Sequence, residues 1–203
     1  MLEEELEELI PTWDGLTEGK HRIQLTRSRL NNRKVEEAWF QIYKAGTLSI
    51  PVARVGIVHD YTYGYCMIAE YDKIGDKKPP SNINTRYMEN RDSTQLDNER
   101  CYPTFEIALM DMLSFFGFRK TAQELLKIPK RVGDWQLIDN TEYYIRWMDK
   151  GTHFNEYLIV EFQDAYGYWS VLRGYEGMAF DIFGDYETKE CAVANAIRIM
   201  STQ

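Results

Sequence analysis

YPTFEIA, residues 102–108, is echoed near the far end of the chain by YETKECA, residues 186–192. Tyr, Thr, Glu and Ala recur at identical spacing, 84 residues apart. Both stretches read as helix starts. Thr104 and Thr188 are good N-caps, because a threonine hydroxyl accepts a backbone N–H that the first turn leaves orphaned. Glu106 and Glu190 then fall in the first turn, where negative charge suits the helix dipole. Beyond them one apolar stripe recurs in register: Ala108, Leu109, Met112, Leu113 and Phe116 against Ala192, Val193, Ala196, Ile197 and Met200. That spacing marks one face of a helix.

The echo extends backwards. Tyr63-Gly64-Tyr65 matches Tyr166-Gly167-Tyr168, and AWFQIYKAG (38–46) resembles YYIRWMDKG (143–151) in pattern. Each is followed by an apolar run rich in β-branched and aromatic residues, VARVGIV (52–58) and YLIVEF (157–162), which reads as a strand. Each unit is therefore expected to be strand–strand–strand–helix, with an extra short strand at Met178–Phe183 in the second. The expected fold class is α+β: two tandem βββα-type units from an internal duplication, with antiparallel sheets each backed by a helix. A sheet with a helix on one face buries the apolar sides of both.

Around this core the expected organisation is an acidic helix and basic segment (1–36), a first unit (37–118), a helical linker (119–136) and a second unit (137–203). In LEEELEELI, Leu2, Leu6, Leu9 and Ile10 share a face, which predicts a short N-terminal helix. The first unit carries about 19 extra residues, an insertion that reads as a long polar loop over 75–98 with Pro79-Pro80. Loops of that length are usually functional or disordered. The first helix is apolar on further sides, through Phe105, Ile107, Met110 and Phe115, and so needs a second neighbour. RKTAQELLKIPK offers one as a short helix with Ala122, Leu125 and Leu126, ended by Pro129.

The net charge of −8 is uneven. Residues 1–19 hold seven acids and no base, whereas 20–34 hold six bases and no acid. An acidic body repels polyanions at long range, so only Lys20–Lys34 would attract one. Three cysteines without C-x-x-C spacing point to reduced thiols in the cytoplasm. No run of 18 apolar residues predicts a membrane span, and the acidic N-terminus does not fit a signal peptide.

Phosphate-cradling, dinucleotide, nucleophile-elbow and zinc-protease motifs are absent from the sequence. No cofactor and no metal is expected. His59-Asp60 reads as a turn at a strand end rather than a ligand pair. Cys191 falls beside the apolar stripe and reads as a buried filler rather than a nucleophile. The carboxylates Asp181, Asp185, Glu187 and Glu190 cluster at the last junction without a clear pairing, so an enzyme built on them ranks third.

Two features rise above this background. The basic segment supplies Arg22, Arg27, Arg29 and Arg33, competent for phosphates or for pairing with the acidic N-terminus. On a regular strand Arg27 and Arg29 would share a face with Ile23 and Leu25. The second feature is the tyrosine row: Tyr63 and Tyr65, with Tyr166 and Tyr168, are expected on faces away from the helices. Such faces suit base stacking or a protein hot spot. Arg86 and Tyr87 add candidates in the long loop. The leading expectation is a non-enzymatic cytoplasmic protein that binds another protein as regulator, inhibitor or adaptor. An inhibitor filling a partner's nucleic-acid groove, as mobile-element counter-defence proteins do, is one concrete form. The alternative is a nucleic-acid-binding module using Lys20–Lys34 and the tyrosine faces.

Overall fold

A computed structural model describes residues 1–47, 51–70, 101–151 and 154–202. The loop 75–98, with Arg86 and Tyr87, lies outside the described residues. Two six-stranded antiparallel sheets each run in simple chain order. The first comprises β1 (Leu16–Glu18), β2 (His21–Asn31), β3 (Lys34–Lys44), β4 (Ala53–Asp60), β5 (Gly64–Glu70) and β6 (Cys101–Tyr102). The second comprises β7 (Arg131–Val132), β8 (Trp135–Asn140), β9 (Tyr144–Asp149), β10 (Glu156–Gln163), β11 (Tyr168–Tyr175) and β12 (Asp181–Tyr186). Helix α1 (Glu3–Leu9) precedes the first sheet, α2 (Phe105–Phe115) and α3 (Arg119–Leu125) follow it, and α4 (Lys189–Ser201) follows the second. The fold is α+β with two similar units, and each unit has six strands before its helix rather than three or four. The basic segment is part of the first sheet, since β2 lies inside it.

The echoed motifs adopt one geometry. Thr104 and Thr188 are both N-caps, with φ/ψ of −137°/156° and −134°/154°. Their hydroxyls accept N–H bonds from Ile107 (3.4 Å) and Cys191 (3.3 Å). Helix α2 lies on the first sheet, α4 on the second, and the two helices pack against each other. Nine of the thirteen residues of α4 are buried, because it serves a sheet on one side and a helix on another. Between the helices, the Asn195 amide donates to Asp111 Oδ1 at 3.4 Å. These two residues are 84 apart, the length of the repeat. Each copy thus presents the same position to its counterpart, as a two-fold arrangement requires. One continuous core joins both sheets and all four helices, from Leu6 and Phe40 through Leu109 to Trp147, Val160 and Ile197. The linker helix α3 covers the further apolar side of α2 with Phe118 and Ala122. Glu18 of β1 caps α3 from a distance, accepting N–H bonds from Lys120 (2.6 Å) and Thr121 (3.3 Å).

Three local features depart from the sequence expectation. The first is a β-bulge between Leu25 and Arg27, which leaves Thr26 unpaired. An extra residue reverses the side-chain alternation. Ile23 and Leu25 point into the core, while Arg27 and Arg29 pair with Trp39 and Glu37 on the outer face.

The second is a slip between the two Tyr-Gly-Tyr turns. In the first unit His59 pairs with Tyr65 across a turn whose inner pair is Asp60 and Gly64. In the second, Phe162 pairs with Trp169, and Tyr168 pairs with Gln163. The second turn is one residue longer, and a one-residue shift moves every side chain to the other face. Tyr65 therefore faces α2, its ring edge-on to Phe105 at 5.8 Å. Tyr168 faces outward, and Trp169 takes the inward place. The expectation that both tyrosine rows face away from the helices fails for Tyr65. Gly64 fits only without a side chain: its φ is +89°, and a Cβ there would lie 2.5 Å from the Tyr102 carbonyl oxygen.

The third concerns sulfur. Cys66 and Cys101 sit opposite one another on β5 and β6 and form a disulfide, so the expectation of three reduced thiols is corrected. Their 35-residue separation, with no pattern of paired spacing, hid the pairing. Cys191 is the free cysteine and is buried.

Candidate functional site

The face of each sheet away from its helix differs sharply between the two units. In the first unit it is charged and internally paired. Arg27 Nη2 donates to Glu37 Oε1 at 2.7 Å, and Arg29 Nε lies 3.0 Å from Glu37 Oε2. Arg29 also reaches Glu36 at 3.6 Å. The Trp39 indole N–H donates to Glu37 at 2.7 Å, and its ring lies over Gly56, where a Cβ would approach to 2.8 Å. Arg54 stacks on the Trp39 ring at 4.9 Å and Arg22 on Tyr43 at 4.8 Å. The acids neutralising Arg27 and Arg29 come from β3 rather than from the acidic N-terminus, whose Glu3 instead accepts a bond from Ser28. Arg33 stands apart at the tip of the β2–β3 hairpin, with φ of 68°. Tyr63 lies in a turn, its N–H donating to Asp60 at 3.0 Å. Burial, with Glu106 and Glu36 nearby, raises the Tyr65 phenol.

In the second unit the outer face mixes apolar and aromatic side chains with Arg146, Glu161 and Gln163. Strand register aligns Arg146, Ile159, Leu172 and Ile182 in one row across four strands. The next row holds Met148, Tyr157 and Gly174, with Phe180 packed over the glycine. The Arg146 guanidinium lies over the Tyr157 ring at 5.3 Å and is tied to Asp139 at 2.5 Å. Tyr166 and Tyr168 stack at 5.5 Å with rings 17° apart, so the structure joins these two predicted residues. Toward β12 the surface opens. Every residue from Tyr175 to Phe183 is exposed, including Met178 (65%), Ile182 (67%) and Phe183 (51%). A contiguous exposed apolar patch on a folded chain ordinarily marks an interaction site. None of the expected binding residues lies in this run; Tyr166 and Tyr168 sit at the other end of β11, by its turn from β10. Its signal was in the sequence as MAFDIF, 178–183; the strand expected there begins only at Asp181 and runs on to Tyr186, because Met178–Phe180 belong to the connection from β11.

The most strongly shifted titratable groups gather instead around α2 and α4. The Tyr102 hydroxyl donates to Asp111 Oδ2. Burial raises the Asp111 carboxyl, against the opposing pull of Tyr102, Cys191, Arg198 and Asn195. Burial also lifts the Tyr102 phenol and the Cys191 thiol well above their ordinary values, and the Tyr186 phenol to about 12. The Ser114 and Thr188 hydroxyls share a bond of 2.5 Å across the same interface. These groups satisfy one another and hold the units together; Cys191 stays a thiol there, a poor nucleophile.

The other candidates do not assemble into a reactive centre. His59 lies against Tyr61 and Tyr65, its Nδ1 4.0 Å from Glu36. Among the described residues no group of His, Cys, Asp and Glu could hold a metal ion. A cavity of about 480 Å³ at the end of the second sheet is lined by Lys130, Arg131, Asp134, Gln136, Lys150 and Gly151. Comparison with protein-family models, with curated proteins and with solved structures finds no match to this chain.

Proposed function

We propose that this chain is a non-catalytic binding protein that engages another protein through the outer face and free margin of its second sheet. The observation that carries this reading is the exposed run Tyr175–Phe183, which includes the apolar Met178, Phe180, Ile182 and Phe183, with Ile182 extending the Ile159–Leu172 row. Burying such side chains contributes roughly 1.5–3 kcal/mol each, enough for a few to anchor an interface. Regulator, inhibitor or adaptor are the roles such a surface fits, a counter-defence inhibitor among them. The ion pairs of Arg27 and Arg29 speak against the nucleic-acid alternative, because a phosphate would have to displace Glu37. Among the described residues no helix is long and apolar enough to cross a membrane. In a cytoplasmic compartment, the one proposed from the sequence, a reducing pool would oppose the Cys66–Cys101 bridge.

The test is an affinity pull-down from the native host, with and without nuclease, using wild type, Ile182→Ser/Phe183→Ser and Arg27→Glu/Arg29→Glu. The reading predicts a nuclease-resistant protein partner lost with the first variant and kept with the second. Capture abolished by nuclease, or by the arginine variant alone, would overturn it.

A further inference from the structure

We infer that the free edge of β12 takes up an extended segment of the partner as a seventh strand, and that this segment is apolar and basic. The inference rests on the binding reading above and adds the mode and the chemistry. β12 ends its sheet, and no described strand pairs with its outer margin. Its counterpart in the first sheet, β6, spans only two residues and is bonded through Cys101 to Cys66. One sheet edge is thus short and covalently fastened, whereas the other is a six-residue strand whose outer margin no described strand pairs, beside exposed Ile182 and Phe183.

Exposed edges are templates for strand addition, and proteins protect them with charge or irregularity. β12 carries both, through Asp181 and Asp185 and through the register shift opposite Val171 and Leu172. The stretch 174–188 holds four acids, Glu176, Asp181, Asp185 and Glu187, and no base. Those charges oppose a second copy of the same edge, since Asp181 and Asp185 of each copy would meet along one seam. They favour a strand that brings a cation toward Asp181 on one face and an apolar side chain to Ile182 on the other. In such additions main-chain bonds supply affinity and the alternating side chains supply selection.

The experiment uses the full chain and a labelled short peptide alternating Lys and Val, with an alternating Glu and Val peptide as control. The Lys/Val peptide should bind at least about tenfold more tightly than the control and weaken as salt rises. Ile182→Ser and Asp181→Lys should each weaken it, and its addition should slow amide exchange at Asp181–Tyr186 but not at His21–Asn31. Equal binding of both peptides, or slowed exchange elsewhere, would overturn the inference. So would a concentration-dependent dimer in sedimentation that Ile182→Ser dissolves. If the peptide fails while a natural partner is still lost with Ile182→Ser/Phe183→Ser, strand addition falls and the binding surface stands. If neither depends on the edge, both fall.

Discussion

Thr104 and Thr188 provide a matched pair in which one sequence feature has two different energetic settings. Both cap their helices with the same backbone geometry. Replacing either with Ala removes one cap bond, at a cost of typically about 1 kcal/mol. Thr104 is exposed, and its further bond to the part-exposed Glu106 carboxylate is a surface contact of little weight. Thr188 is buried and also bonds the Ser114 hydroxyl of α2, itself 3% exposed. Thr188→Ala leaves that hydroxyl with only the Cys191 thiol beside it, which adds roughly 1–3 kcal/mol for a buried, poorly satisfied group. The expected totals are about 1 kcal/mol for Thr104→Ala and about 2–4 kcal/mol for Thr188→Ala. Urea denaturation followed by far-UV circular dichroism measures both, provided the slopes agree. A cycle with Ser114→Ala should return a coupling of roughly 1–2 kcal/mol with Thr188 and close to zero with Thr104. Equal costs for the two threonines, or coupling of Ser114 to Thr104, would refute the proposed contact between the units.

Other predictions follow from single contacts. Gly64→Ala should cost more than the roughly 1–2 kcal/mol of a left-handed residue, because its Cβ also meets the Tyr102 carbonyl. Gly167→Ala, with φ of +73° and open space around it, should cost only the backbone part; urea midpoints compare the two. Reducing the Cys66–Cys101 bridge should lower stability by about 4 kcal/mol for its 35-residue separation, read from urea curves with and without dithiothreitol. Tyr186, lifted to about 12, keeps its proton when folded at a pH where the unfolded chain has lost it. Its contribution is complete below about pH 10 and falls by about 3 kcal/mol as pH rises toward 12. Tyr186→Phe should flatten that alkaline decline in denaturation curves recorded at successive pH values.

Those residues also show what the sequence made legible. The capping threonines and the apolar stripes were readable because they depend on local chemistry and helix period, and both helices form where the spacing placed them. The outer strands were harder. β7, β8 and β12 are short or weakly alternating, and pairing with a neighbour rather than intrinsic propensity makes them strands. The faces of the tyrosines and arginines were illegible for one reason in two places. A single extra residue, at Thr26 or in the turn before Tyr168, reverses every side chain beyond it, and composition carries no trace of it. The disulfide is a tertiary fact, set by the pairing of β5 with β6. Of the outer face of the second sheet, Tyr166 and Tyr168 were picked out, while Ile182 and Phe183 passed as part of a short extra strand because nothing local says that no described sheet or helix covers them.

Amide hydrogen exchange, recorded on the free chain and on the complex isolated by pull-down, tests the proposed surface most directly. The account predicts slowed exchange concentrated at Tyr175–Tyr186 and on β11, with His21–Asn31 unchanged. Protection confined to the arginine hairpin, with the second sheet exchanging as in the free chain, would contradict it.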